Sequence, residues 1–197
     1  MRTLSCAMLG ATLMLMGCSK EAAGDASTAN TTASTPATPA DPGDACALLS
    51  LAEVRRVLPE ASRTERNDNL TEHGIKGCGW YGKGKAPFIE VSVWQVSGED
   101  DTPWENANTL AMGVADPTRP GAQAAVRLEK IAGVGEDAVA IVEKADDQRG
   151  ILTTTALLTL RKNGRIATIV SGFLDAGDRA RALEQLASLG KAAAGRL

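Results

Sequence analysis

Few side chains in this chain are suited to chemistry, and they are scattered. The single histidine, His73, lies in the polar run Asn67-Asp68-Asn69-Leu70-Thr71-Glu72-His73-Gly74. A Ser-His-Asp or Cys-His mechanism would have to use it as the base, and its surroundings read as an exposed loop. The acids Glu99-Asp100-Asp101 and Asp146-Asp147 could attract a cation. Neither run has the alternating oxygen-ligand spacing of a calcium loop, so both read as solvated turns. Gly133-Val134-Gly135 lacks the third glycine of a dinucleotide fingerprint and is followed by a strand pattern, so it reads as a turn. Lys83 and Lys85 read as a hairpin tip rather than an anion site. Two acids could meet in any fold and hydrolyse a substrate as a pair, but nothing in the sequence marks such a pair. No catalytic residue, metal ligand or cofactor is assigned.

Composition narrows the classes further. The chain has 197 residues, 44% hydrophobic and 23% charged, with a formal net charge of −3. That is too apolar for a wholly disordered chain and too balanced for a polyelectrolyte. No apolar run near 20 residues interrupts the body of the chain, so multiple membrane spans are not expected. An isoelectric point near 5.3 gives no case for nucleic acid as a partner.

The elements that position any site begin with an address. Met1-Arg2 is followed by an apolar stretch from about Leu4 to Met16 that ends in Leu15-Met16-Gly17-Cys18. The stretch is too short to span a bilayer and has the form of a signal peptide over residues 1–17. Its end resembles the lipobox of bacterial lipoproteins, with Met16 a less usual residue at its position. The resemblance implies cleavage before Cys18 and acylation of its thiol, with the membrane engaged through that N-terminal lipid. Several acyl chains would anchor firmly, at about 0.8 kcal/mol per buried methylene. Ser19 after the cysteine, by resemblance to proteobacterial sorting, implies the outer membrane, with the domain in the periplasm.

Ser19 to Asp44 contains no Val, Ile, Leu, Met or aromatic residue. Such a segment cannot offset its ordering entropy by burial, so residues 18–44 read as the lipidated cysteine and a disordered linker. As a flexible coil its 26 residues would span roughly 28 Å. Residues 45–197 then form one domain, large enough for a single core. It carries 19 basic and 20 acidic residues, so much of the acidity sits in the linker. Of four cysteines, Cys6 leaves with the signal and Cys18 takes lipid. Cys46 and Cys78 remain in an exported chain, where a disulfide is expected. A metal pair or a catalytic thiol are the alternatives.

Periodicity places helices over Leu48 to Leu58, Trp104 to Val114 and Asp178 to Ala194. Ser50 with Glu53 forms a capping-box pattern, and Pro59 stops the first helix. Strands are expected at Gly77 to Gly82, Phe88 to Val96, Val126 to Ile131, Ala138 to Glu143, Ile151 to Lys162 and Arg165 to Phe173. The last two flank Asn163-Gly164, a hairpin signal. In the strand from Ile151, Leu152, Ala156, Leu158 and Leu160 are expected inward and Thr153, Thr155, Thr159 and Arg161 on a wetter face. The result is an α+β domain, a mainly antiparallel sheet with helices packed on one face, in the order α-β-β-α-β-β-β-β-α.

Asp44-Ala45-Cys46-Ala47-Leu48-Leu49, Gly77-Cys78-Gly79-Trp80, Gly133-Val134-Gly135-Glu136-Asp137 and Leu160-Arg161-Lys162-Asn163-Gly164 together resemble uncharacterised envelope lipoprotein domains. Those open with a Cys-x-Leu-Leu helix and pair its cysteine with a Cys-x-Trp strand. The resemblance implies an envelope protein of unknown function and carries no catalytic residues.

Five of six aromatic residues, Trp80, Tyr81, Phe88, Trp94 and Trp104, fall within 25 positions. They either fill the core near the cysteines or, with Phe88 and Trp94 on the less covered sheet face, make a binding patch. The leading functional expectation is a non-catalytic binding or scaffolding module for an envelope protein, peptide or lipid. A small envelope hydrolase, and a carrier of lipid or another small apolar ligand, are the alternatives. Converging carboxylates in a concave pocket would favour the first of these, a dry cavity the second.

Overall fold

The computed structural model describes residues 43–68, 71, 74–84, 88–95, 103–172 and 177–197, without the side chains of Pro103, Trp104 and Asn106. Cys18 and its lipobox, the linker as far as residue 42, His73, Lys85, the acids at 99–101, Val96 and Phe173 lie outside the described residues.

The domain opens with α1 (Ala45–Leu48) and α2 (Leu51–Val57). The helix expected over Leu48 to Leu58 is α2, which starts after the extended Leu49 and Ser50, and α1 is a further short helix before it. Ser50 starts the chain afresh: its hydroxyl accepts from the Glu53 amide at 3.2 Å, and the Glu53 carboxylate accepts from the Ser50 amide at 2.8 Å. That is the reciprocal box read from the sequence.

Next come β1 (Arg63–Asn67), β2 (Ile75–Tyr81), β3 (Phe88–Gln95), α3 (Pro103–Val114), α4 (Ala122–Ala125), β4 (Leu128–Lys130), β5 (Asp137–Glu143), β6 (Thr155–Lys162), β7 (Arg165–Ser171) and α5 (Arg179–Ala194). The seven strands form one sheet in the order β1-β2-β3-β7-β6-β5-β4, and every adjacent pair is antiparallel. The chain therefore lays down one meander, crosses to the far edge through α3 and α4, and returns by a second meander whose last strand closes on β3. Asn163 and Gly164 both take positive φ in the β6–β7 turn, as an Asn-Gly hairpin requires. The α+β class and the antiparallel sheet are as expected. The strand β1 and the short helix α4 are additional elements.

The main core lies between one sheet face and α1, α2 and α5. Ile89, Val91 and Val93 of β3, Cys78 and Trp80 of β2, and Ala156, Leu158 and Leu160 of β6 pack there with Leu186 and Leu189 of α5. Burying a leucine of this kind contributes about 1.5–3 kcal/mol. Gly190 lets α5 settle on the sheet, since a Cβ there would come within 2.9 Å of Leu158 and Val134.

A smaller cluster on the opposite face joins Ala111, Val114 and Ala115 to Ile141 and Ile151. Helix α3 covers β5 and β6 there, which explains two departures from the expected pattern. Thr159 is buried rather than wetted, and its hydroxyl lies 3.3 Å from that of Thr168. Leu152 is exposed, because β6 begins only at Thr155 and the chain before it is irregular.

Cys46 of α1 and Cys78 of β2 are joined by a disulfide with 5.1 Å between their Cα atoms. It resolves the choice among disulfide, metal pair and catalytic thiol for these cysteines. Trp80, on the same face as Cys78, is fully buried in the main core.

Candidate functional site

Alternation along β3 sends Ile89, Val91 and Val93 into the core and Phe88, Glu90, Ser92 and Trp94 to the other face. The register continues this outer face across the neighbouring strands. Tyr81 pairs with Phe88 and with Arg63, Gly79 pairs with Glu90 and with Glu65, and Ile75 pairs with Trp94.

Phe88 and Trp94 are therefore on one face and both are half-buried. They stand at opposite ends of β3, roughly 20 Å apart at the rise of an extended strand, with Glu90 and Ser92 between them. They do not form one continuous patch. Phe88 instead belongs to a groove of about 660 Å³ lined by Arg63, Glu65, Tyr81, Gly84, Phe88 and Glu90.

Two glycines set the shape of this groove. A Cβ on Gly79 would lie 2.3–2.6 Å from atoms of the Tyr81 phenol, so the ring occupies the space a side chain would take. A Cβ on Gly172, whose amide donates to the Phe88 carbonyl at 3.1 Å, would lie 2.5 Å from the Phe88 ring. Both rings thus lie over glycine backbone. Their centroids are 6.4 Å apart with a 41° tilt, within the range of favourable aromatic pairs.

The polar groups are tied to these rings. The Tyr81 hydroxyl donates to Glu90 Oε1 at 2.7 Å. Burial, and then that bond to a carboxylate, push the phenol up to about 12. Arg63 pairs with Glu65, donates to the Gly84 carbonyl at 3.1 Å, and places its guanidinium carbon 5.0 Å from the Tyr81 ring centroid. Glu65 and Glu90 are the two carboxylates among the described lining residues, on β1 and β3 with Gly79 of β2 between them. Glu65 is held by Arg63 and Glu90 accepts from Tyr81.

A second charged cluster lies at the α5 end of the sheet. The buried Glu143 accepts from the Arg127 amide at 2.9 Å and pairs with Arg149 at 3.0 Å and Arg179 at 3.3 Å. Arg179 also pairs with Glu129, and Arg149 with Asp146, each at 3.0 Å. These bonds join β4, β5, the 146–149 turn and the start of α5, so the cluster is a structural clasp. Asp146, one of the acids considered for a cation, is used in that turn. Lys83 is exposed beside Gly84, which has positive φ. Gly133 and Gly135 both take positive φ in the turn before β5.

The sequence singled out Phe88, named Tyr81 only as one of the clustered aromatics, gave Glu90 no role, and missed Arg63 and Glu65. The available signal was Gly77-x-Gly79-x-Tyr81, which puts two glycines and a tyrosine on one face of a strand. Among the described residues no three His, Cys, Asp or Glu side chains converge as a metal site. No described helix is long and apolar enough to cross a membrane. No family model, curated protein or solved structure matches the chain.

Proposed function

We propose that this is a lipid-anchored protein of the bacterial envelope whose domain docks a partner polypeptide, without catalysis, on the outer face of β1, β2 and β3. The observation that carries the docking reading is the groove between Tyr81, Phe88 and Glu90, where half-buried rings and charged groups share an unusual setting over glycine backbone. The anchor rests on the export signal and on Cys18. The Cys46–Cys78 disulfide is consistent with an oxidising compartment such as the periplasm.

Two measurements test the two halves. Replacing Cys18 with Ala should release the protein from the membrane fraction and change its electrophoretic mobility. Retention with unchanged mobility would end the anchor reading. A photo-crosslinking amino acid at Ser92, on the docking face, should capture a discrete partner in intact cells that the same group at exposed Glu184 does not. Equal capture from both positions, or none from Ser92, would end the docking reading.

A further inference from the structure

Resting on that docking reading, we propose that the groove seats the basic side chain of an extended partner chain, a lysine or arginine, with Glu90 as its counter-ion. The groove's charges are unequal in their satisfaction. Arg63 is committed to Glu65, to the Gly84 carbonyl and to the Tyr81 ring. The other arginine of β1, Arg66, pairs in register with Cys78 and so belongs to the core-side face, where it meets Asp44 at 2.7 Å. Glu90 has a hydrogen bond from a neutral phenol and, among the described residues, no cationic partner. Among the described residues, the lining holds two carboxylates against one engaged guanidinium.

The walls suit the same guest. A lysine or arginine has an apolar stem and a cationic head. The Phe88 ring offers apolar surface to the stem, and Glu90 offers the head a charge-assisted bond. Because Glu90 lies on β3, two strands in from the edge strand β1, the guest segment lies across the outer face of β1 and β2 rather than beside the edge.

The test uses the purified, nitrogen-15-labelled full chain and five-residue peptides, acetyl-Thr-Val-X-Val-Thr-amide, in which X is Lys, Gln or Glu. The Lys peptide should shift the amide resonances of Gly79, Glu90 and Gly172, and more strongly than the Gln peptide, with the Glu peptide weakest. Glu90→Gln keeps the acceptor for Tyr81 and removes the charge, and should weaken the Lys peptide roughly tenfold. An unchanged affinity in Glu90→Gln overturns the proposal. Equal binding of all three peptides also overturns it and leaves the docking reading standing. If no peptide shifts these amides, the basic-guest proposal fails, while capture from Ser92 decides the docking reading separately.

Discussion

Tyr81 donates its phenolic hydrogen to Glu90 across the β2–β3 pair at 2.7 Å, and it can do so because Gly79 leaves the ring room to lie flat on the sheet. The contact is diagonal, since Tyr81 is in register with Phe88 and Glu90 with Gly79. A side chain at position 79 would stand between them. The geometry of the groove therefore depends on a residue with no side chain at all.

The chain has one tyrosine, so its ionisation can be followed without ambiguity. With the phenol at about 12 when folded, against 10 for an unperturbed group, the folded state holds its proton while the unfolded state loses it. Tyr81 therefore contributes stability that is present below pH 10 and lost as pH rises from 10 towards 12. Carbon-13 labelling at tyrosine Cζ should show a midpoint near 12 in the native chain and a lower one in Glu90→Gln. A midpoint unchanged by the substitution would show that burial alone sets it.

Gly79→Ala should evict the Tyr81 ring. The substitution adds one methyl group at a position whose backbone an alanine can adopt, yet its Cβ would fall inside the phenol. The expected outcome is loss of the Tyr81–Glu90 bond, a tyrosine midpoint closer to 10, and destabilisation of about 1–3 kcal/mol from overpacking. Retention of the native tyrosine titration in this variant would contradict the ring's position over Gly79.

At the other side of the sheet, Glu53 ties the two ends of the domain together. Its carboxylate accepts from both terminal nitrogens of Arg196, at 2.9 and 2.8 Å. The bonds to Arg196 lead in drawing it down to about 2, against an opposing cost of burial, with the Ser50 bonds adding to the fall. A depressed carboxylate contributes stability that is present above about 4.5 and lost as pH falls towards 2. Urea unfolding at pH 6 and pH 3 should show a smaller loss on acidification in Glu53→Gln than in the native chain. An equal loss would place the acid sensitivity elsewhere.

The fold was legible where two signals agreed. The β6–β7 hairpin had alternating apolar residues on either side of Asn163-Gly164, and α5 had its apolar spacing and Asp178, whose side chain accepts from the Arg181 amide. The strand β1, Arg-Thr-Glu-Arg-Asn, was not legible, because an exposed edge strand carries no hydrophobic alternation to read. Thr159 misled for a related reason. Polarity placed it on a wet face, but α3 covers that face and Thr168 satisfies its hydroxyl. Two of the groove's six lining residues lie on β1, so missing that strand meant missing Arg63 and Glu65. Tyr81 and Glu90 came together through register, which composition does not encode.

The disulfide should be a large single contributor to stability. Cys46 and Cys78 are 32 residues apart, and closing that loop is worth about 3–4 kcal/mol in the chain-entropy estimate. Reduction, or replacement of both cysteines by Ala, should lower Tm by roughly 10 °C. A fall of less than about 3 °C would mean that the reduced, unfolded chain is already restrained near this loop.

Glu143 should be costly to remove because its two arginines would remain. It is buried and satisfied by one backbone amide and two guanidinium groups. Removing one member of a buried ion pair costs about 3–5 kcal/mol, chiefly through the unpaired charges left behind. Arg149 and Arg179 are partly exposed, with 40% and 25% of their side-chain surface accessible, so the lower end of that range applies. Glu143→Ala should thus destabilise by about 3 kcal/mol. Glu143→Gln keeps the acceptor for the Arg127 amide and should cost less. If the clasp is electrostatic, removing Arg179 as well as Glu143 should cost less than the sum of the two single changes, with a coupling of about 0.5–3 kcal/mol in a double-mutant cycle. Strict additivity would mean that Glu143 acts through packing and its backbone bond, and that the start of α5 is held to β5 without help from charge.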